Sequence, residues 1–563
     1  MKFSEYNYER TDPSKVKIQM AEIMDGFTKA KNVSEQKLWM DKSKQVFSDY
    51  ETNSAIARLN FNRNTKDHAS VKENDYFDEI DPNMREISLN WAKTLLAGKF
   101  RNELEESFGN QFFDQKELEL KSFDPKIKGL VEKENKMENE YTKLIAGAEI
   151  EFEGKTYNLA GLSPFHLDKD RNVRKKSYTA MFGFFEKNAD ELDTIYDKLV
   201  EIRHKMALEL GYDNFIKLGY ARMQRTDYDH NDVAAYRQQI VDHVVPLVTK
   251  LHEQKKEILG LDTLYIYDGI NFKDGDPKPK GTPEDLVEAA KNMYDELSPE
   301  TGAFFKMMID EELLDLVNRD GKMAGGFCTS FPKYQRPYIF SNFNGTDHDV
   351  TVLTHEAGHA FQTYSARHQP LIEYYWPTYE AAEIHSMSME FITWPWMEDF
   401  FKEDTERFKY LHMVKSISFL PYGACVDHFQ HWVYENSEAS PADRKTKWSE
   451  LEKIYLPERD YDDLEFPKSG GIWQRQLHIY QVPFYYIDYT LAQVCAFQFW
   501  TKFNADRKTA WEDYHRLCKA GGSLPFTKLT DVANIENPFN DGVLEKVVGE
   551  IWDWLKSVDV KSL

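Results

Sequence analysis

His355 and His359 stand four residues apart, with Glu356 directly after the first, in the run Asp347-His348-Asp349-Val350-Thr351-Val352-Leu353-Thr354-His355-Glu356-Ala357-Gly358-His359-Ala360-Phe361. On a helix, residues four apart lie one above the other, so both imidazoles can reach a single metal ion. Glu356, one position past the first of them, then addresses a water at that metal. The chemistry this layout serves is hydrolysis, with zinc activating the water and a carboxylate accepting its proton. The flanking residues suit a helix. Asp347 or Asp349 can cap its start, and Val350, Leu353, Ala357, Ala360 and Tyr364 make a stripe to bury.

A zinc site of this kind needs a third protein ligand, a carboxylate or imidazole from a neighbouring element. The stretch from Pro377 to Phe391 reads as a second helix, opened by a proline and carrying Glu380, Glu383 and Glu390 along one side. Glu380 and Glu383 are both candidates for that ligand. Single acidic residues on a helix are ordinarily its solvated face. Their position about two dozen residues after His359 argues for a ligand instead.

Three blocks of the chain together resemble the thimet-oligopeptidase-like zinc metallopeptidases, most of all their oligoendopeptidase F and Pz-peptidase branch. They are Pro337-Tyr338-Ile339-Phe340-Ser341-Asn342-Phe343-Asn344-Gly345-Thr346 running into His355-Glu356-Ala357-Gly358-His359, then Glu383-Ile384-His385-Ser386-Met387, then His478 with a tyrosine-rich run after it. The likeness covers the last two-fifths or so of the chain. It implies His355, His359 and Glu383 as the ligands of one Zn2+ per chain and Glu356 as the general base. Glu383 matches the family's Glu-x-x-Ser, whereas Glu380 does not, and Glu390 would orient a ligand from behind. The resemblance also gives His478 and the tyrosines after it the part of donors to the oxyanion of the transition state. Counted from His478, the spacing departs from the thimet-like pattern, so the choice among Tyr485, Tyr486 and Tyr489 stays open. Pro483 is expected to open a helix on which Tyr485 and Tyr489 share a face.

The activity so implied is that of a metalloendopeptidase cutting internal bonds of short oligopeptides. Two other readings stand beside it. One is a peptidyl-dipeptidase of the angiotensin-converting-enzyme type, which needs a cation such as Arg336 or Arg475 to grip the substrate's C-terminal carboxylate. The other is a non-catalytic peptide-binding relative that kept the fold.

The elements that must position these residues are mostly helical. From about Val16 to Lys143 the pattern is amphipathic and rich in Glu, Lys, Leu and Ala, with Asp81-Pro82 and Asp124-Pro125 read as turns between long helices. Glu149 to Leu159 alternates around Gly154 as a hairpin does. Gly325 to Thr329 and Pro337 to Phe343 are the best strand candidates, a small sheet beside the metal helix whose edge can take an extended peptide as an added strand. The aromatic segment from Phe391 to Glu458 reads as core, and His204, His243, His252, His428 and His431 as structural histidines. The expected fold is mainly α: a two-lobed helical metallopeptidase with a deep cleft and a small sheet beside the His-Glu-x-x-His helix. An N-terminal helical lobe, 1–170, precedes a catalytic domain, 171–563.

Neither linker-like tract nor internal repeat interrupts the 563 residues. A net charge of -24 argues against nucleic-acid or anionic-membrane partners. No apolar run approaches the roughly 20 residues of a spanning helix, and Met1 to Tyr6 carry no apolar signal core. Cys328, Cys425, Cys495 and Cys518 lack any paired metal spacing and read as reduced thiols. The expected location is cytoplasmic and the expected partners are short peptides; the sequence does not speak to oligomeric state.

Overall fold

The computed structural model of the chain describes every residue except Lys561 and Ser562. It is mainly helical, with one two-stranded and one three-stranded sheet among the described residues. No helix among those residues is long and apolar enough to cross a membrane. The chain divides into two compact units, each assembled from three segments: Met1–Leu120 with Lys278–Thr405 and Cys495–Asn537, and Lys121–Pro277 with Glu406–Val494 and Pro538–Leu563.

The first unit begins with three long helices, α1 (Pro13–Lys29), α2 (Val33–Arg63) and α3 (His68–Leu96). Each starts where the local sequence supplies a cap: Asp12, Asn32 and Asp67 accept hydrogen bonds from the backbone N–H of Ser14, Glu35 and Ser70. On α1, Val16, Met20, Ile23 and Phe27 recur at helical spacing and are buried with Trp91 and Leu95 of α3. Asp81-Pro82 does not make the expected turn. It lies inside α3, and the reason is burial: Ile80, Met84 and Ile87 keep one continuous face in the core. Pro82 and Asp78 are both exposed, so the carbonyl that the missing N–H leaves unbonded is open to water.

Within the same unit a sheet of order β1-β3-β2 is formed by β1 (Leu314–Val317), β2 (Phe327–Phe331) and β3 (Arg336–Phe343). β2 pairs antiparallel to β3, with Phe327 opposite Phe340 and Cys328 opposite Ile339, as a tight connection demands. β1 runs parallel to β3 and is a strand without a signal in the sequence pattern. It is four residues long, too short for alternation to stand out. Among the described residues β2 pairs with no strand but β3, so it is an edge strand of this sheet.

The second unit contains the expected hairpin, Ile150–Phe152 against Lys155–Tyr157 across a Glu153-Gly154 turn. It also contains the expected break at Asp124-Pro125, where Asp124 accepts from Lys126 N–H ahead of the helix Lys128–Ala146. Its interior holds charges that are paired. Arg203, fully buried, donates to Glu134 Oε1 at 2.7 Å and to the Tyr434 hydroxyl at 3.0 Å, and Arg225 pairs with Asp488 at 2.5 Å. His431 sits between Tyr220 and Arg237, and His428 Nδ1 is 3.0 Å from the Tyr455 hydroxyl, so both are tied into structural hydrogen bonds. All four cysteines are free thiols.

Candidate metal centre

The His-Glu-x-x-His segment forms α4 (His348–Ala366), and the second acidic segment forms α5 (Tyr379–Ile392). Val350, Leu353, Ala357 and Ala360 are fully buried, as their spacing predicts, while Tyr364 is half-buried. The start of α4 differs from expectation. Asp347 makes no capping bond, and Asp349 instead accepts from the N–H groups of Asn344 at 2.9 Å and Gly345 at 2.7 Å. Those are loop donors, so the carboxylate fastens the turn between β3 and α4.

What brings α4 and α5 together is the residue between Ala357 and His359. A Cβ on Gly358 would stand 2.6 Å from the carbonyl oxygen of His385 and 2.7 Å from Cα of Ser386. Only a residue without Cβ lets the two backbones approach so closely. That approach carries Glu383 to the histidines: its Oε2 lies 3.3 Å from His355 Nε2 and 3.5 Å from His359 Nε2. Ligands bonded to zinc at the usual lengths and tetrahedral angles are separated by about 3.4 Å. Among the described residues, one group of three or more His, Cys, Asp or Glu can hold a metal ion, and it is His355, His359 and Glu383, with all three donor atoms within 4.8 Å of one another. Glu380, the other candidate, is buried but is not in that group.

Behind these three residues stand further partners. Glu390 Oε1 is 2.7 Å from His355 Nδ1, a bond that turns Nε2 toward the centre of the cluster. Ser386 donates to Glu383 Oε2 at 2.9 Å. The indole of Trp376, which no pattern in the sequence flagged, packs at 5.2 Å from the His359 ring. Burial opposes the charged form of His355, but Glu383 and Glu390 outweigh it and hold the imidazole's pKa well above the ordinary value.

Glu356 is 6 % exposed, and its Oε2 has no hydrogen-bond partner. Burial raises its pKa, the two histidines pull the other way, and Glu383 and Glu390 raise it further; the result is a carboxyl pushed above its usual range. An unpartnered buried carboxylate oxygen beside an N2O donor set at tetrahedral spacing is what a zinc site with a water and a proton acceptor requires. The residues present therefore fit the metal that the motif implies. The start of β2 passes beside this oxygen pair: a Cβ on Gly326 would lie 3.7 Å from Glu356 Oε1. Arg336 is engaged elsewhere, pairing with Glu311 through two nitrogens at 2.8 and 3.2 Å.

His478 and the three tyrosines belong to the second unit. Tyr486 is nearest, its ring centroid 4.9 Å from that of His478, with Tyr485 at 5.8 Å and Tyr489 at 6.0 Å. Gln476, whose carbonyl accepts from Tyr422 at 2.8 Å, donates to His478 Nδ1 at 2.8 Å, which leaves Nε2 carrying the proton. Burial lowers the pKa of His478 and raises that of Tyr486, so both are neutral donors at physiological pH. Pro483 does not open the helix that follows. Phe484 takes a φ of 69° and the helix starts at Tyr486. Phe484 is fixed there by buried bonds, its N–H to Gln430 at 3.0 Å and its carbonyl from Arg225 at 2.6 Å. Tyr485 thus lies just outside the helix, yet its ring remains 4.8 Å from that of Tyr489.

With this geometry in view, family models identify the chain: peptidase family M3 matches residues 165–548, and the peptidase M3 N-terminal domain matches 3–123. The protein belongs to peptidase family M3. A curated M3 relative, the oligoendopeptidase F homolog of Borreliella burgdorferi, is 25% identical over 406 residues, which are 67% of this chain and 65% of the relative. The oligopeptidase PepF of Bacillus subtilis is 24% identical over 391 residues, 64% of this chain and 56% of the relative. These matches thus span between about half and two thirds of the curated relatives' length. A solved structure of PZ peptidase A with an inhibitor shares 48% identity over 100% of both chains, with a TM-score of 0.94.

Proposed function

We propose that this M3 protein is a zinc-dependent metalloendopeptidase hydrolysing internal peptide bonds of short oligopeptides, with one Zn2+ per chain held by His355, His359 and Glu383. The observation that carries the reading is the convergence of those three donor atoms beside the unpartnered Oε2 of Glu356. Zinc in such a donor set supplies Lewis acidity, lowering the pKa of water toward about 7 and polarising a carbonyl oxygen. Glu356 takes the proton of the attacking water and delivers it to the leaving amine. Glu390 and Ser386 hold His355 and Glu383 in orientation. His478, through Nε2–H, and the phenols of Tyr485, Tyr486 and Tyr489 are the proposed oxyanion donors, a part that the neutral state of His478 and Tyr486 supports.

Substrate would bind as a strand added to β2. Its free edge supports this, as does the groove of about 460 Å³ between β2 and α2, lined among others by Tyr50, Leu59, Phe327 and Thr329. Reading backbone more than side chains suits a peptidase acting on mixed short peptides. The ion pair of Arg336 with Glu311 neutralises one of the two cations that the peptidyl-dipeptidase alternative could use, which leaves Arg475 for that part. A cytoplasmic location fits the free thiols. The family matches at 3–123 and 165–548 support an N-terminal domain followed by a catalytic one, parted between residues 123 and 165.

The test pairs metal analysis of the purified protein with mass spectrometry of products from a mixed peptide pool that includes C-terminally amidated members. About one zinc per chain and internal cleavage of blocked and unblocked peptides alike are expected. Release of dipeptides from unblocked C-termini alone would establish the dipeptidase instead, and no cleavage by zinc-loaded protein would leave a binding protein.

A further inference from the structure

Trp376 is 37 % exposed although it packs on a buried imidazole. Its ring lies 5.2 Å from that of His359, tilted by 37°, and His359 itself is 7 % exposed. One part of the indole therefore covers a metal-ligand histidine while the rest faces solvent beside it. The exposed part of the indole is an apolar surface that a substrate side chain can cover.

The backbone that carries this ring is held firmly. Gly522 donates its N–H to the carbonyl of Tyr374 at 3.0 Å, and a Cβ at Gly522 would stand 2.6 Å from the carbonyl oxygen of Trp376. The segment is thus seated directly on a glycine, which fixes the backbone from which the indole projects. A second exposed aromatic stands close by in the fold: Tyr379, 45 % exposed, opens α5 four residues before Glu383 and so shares the face of the helix that carries the ligand.

We infer that Trp376 is the wall of a subsite that takes an apolar or aromatic side chain flanking the scissile bond, and so sets side-chain preference where the β2 edge reads only backbone. The inference rests on the peptidase reading above. The face of an indole offers stacking and edge contacts to aromatic residues and broad contact to Leu or Pro, while its electron-rich π-surface disfavours a carboxylate laid against it. The exposed share of a side chain of about 250 Å² is about 90 Å², and its cover at the usual apolar-area coefficient corresponds to roughly a 40-fold gain in kcat/KM. Incomplete cover brings the expectation to between about ten- and forty-fold.

The experiment compares peptides identical except for Phe or Ala at each residue flanking the bond cut by the wild-type enzyme, using zinc-loaded wild type, Trp376→Ala and Trp376→Phe. The Phe-over-Ala ratio of kcat/KM should fall ten- to forty-fold in Trp376→Ala and by an intermediate factor in Trp376→Phe, at one of the two flanking positions. Zinc content and far-UV circular dichroism are measured on each variant. If Trp376→Ala fails to fold or to load zinc, the ratio is read from Trp376→Phe, which keeps an aromatic ring over His359. A ratio unchanged at both positions overturns the inference, and so does an equal loss for both peptides, since the indole would then only shield His359. If the wild type cuts neither peptide nor any of the mixed pool, it is the peptidase reading that fails.

Discussion

Gly358→Ala separates helix propensity from the geometry of the metal site. In a solvated helix this change stabilises by about 1 kcal/mol, because alanine loses less backbone entropy. At position 358 the new methyl would meet the His385 carbonyl at 2.6 Å and Ser386 Cα at 2.7 Å. Both fall about 0.8 Å short of an ordinary contact. Since both are backbone atoms, relief requires α4 and α5 to separate by a comparable amount. Glu383 Oε2, now 3.3 Å from His355 Nε2 and 3.5 Å from His359 Nε2, would then stand about 4 Å from each, beyond what bonds within 0.2 Å of the usual zinc lengths allow. Overpacking of this kind costs about 1–3 kcal/mol, so the metal-free variant should be neutral to about 2 kcal/mol less stable. Its zinc affinity should fall about 10- to 100-fold, as when ligand positioning is disturbed. The assay is competition for zinc against a chromophoric chelator, with thermal denaturation of the metal-free protein alongside. Gly183→Ala is the control: it lies inside the helix Arg171–Lys187 with nothing within 4 Å of an added Cβ, and it should gain stability. Zinc affinity equal to wild type in Gly358→Ala, with a gain in stability like that of the control, would refute the claim that close helix contact builds the site.

Glu356→Gln should retain the metal and lose about 10²- to 10⁴-fold in kcat; turnover at the wild-type rate, measured on a fluorogenic peptide, would exclude it as the base. Glu390→Gln should weaken zinc binding about 10- to 100-fold, because the amide no longer holds the His355 Nδ1 proton as a carboxylate does; chelator competition reads the change. Asp315, despite its burial, is held at a pKa of about 2 by hydrogen bonds and charge from Arg319 and Lys322. Its folded value is below the unfolded one, so its stabilisation is complete above about pH 4 and is lost as pH falls toward 2, an amount of about 2 kcal/mol. Burial lowers the pKa of Lys322, an effect that belongs to the alkaline limb and leaves the acid limb to the carboxylate. Acid unfolding of the metal-free protein and of Asp315→Asn should therefore converge toward pH 2; parallel curves from pH 5 to 2 would contradict the assignment.

Local sequence was sufficient wherever the physics is local. The four-residue spacing of His355 and His359 sets two imidazoles on one face of any helix, and the buried spacing of Val350, Leu353, Ala357 and Ala360 ensures that a helix forms there. Asp12, Asn32 and Asp124 begin helical turns because their short side chains bond the backbone just after them. The Glu153-Gly154 turn and the pairing of β2 with β3 are short-range for the same reason.

Where two elements meet, spacing and composition do not choose between the possible partners. Glu380 and Glu383 are equally acidic on paper, and only the approach of α5 to α4 across Gly358 carries Glu383 to the histidines. Pro82 reads as a break, yet the burial of Ile80 and Met84 runs the helix through it; Pro483 reads as a start, yet bonds from Gln430 and Arg225 hold Phe484 out of the helix. β1 and the indole of Trp376 left no signal, because a parallel strand partner and the packing of an aromatic ring on His359 are contacts between separate elements, which local spacing does not encode. Spacing within a few residues thus pointed to the chemistry, and the Glu-x-x-Ser likeness favoured Glu383 over Glu380; long-range packing is what sets that carboxylate within 3.5 Å of both imidazoles and decides which side chains surround them.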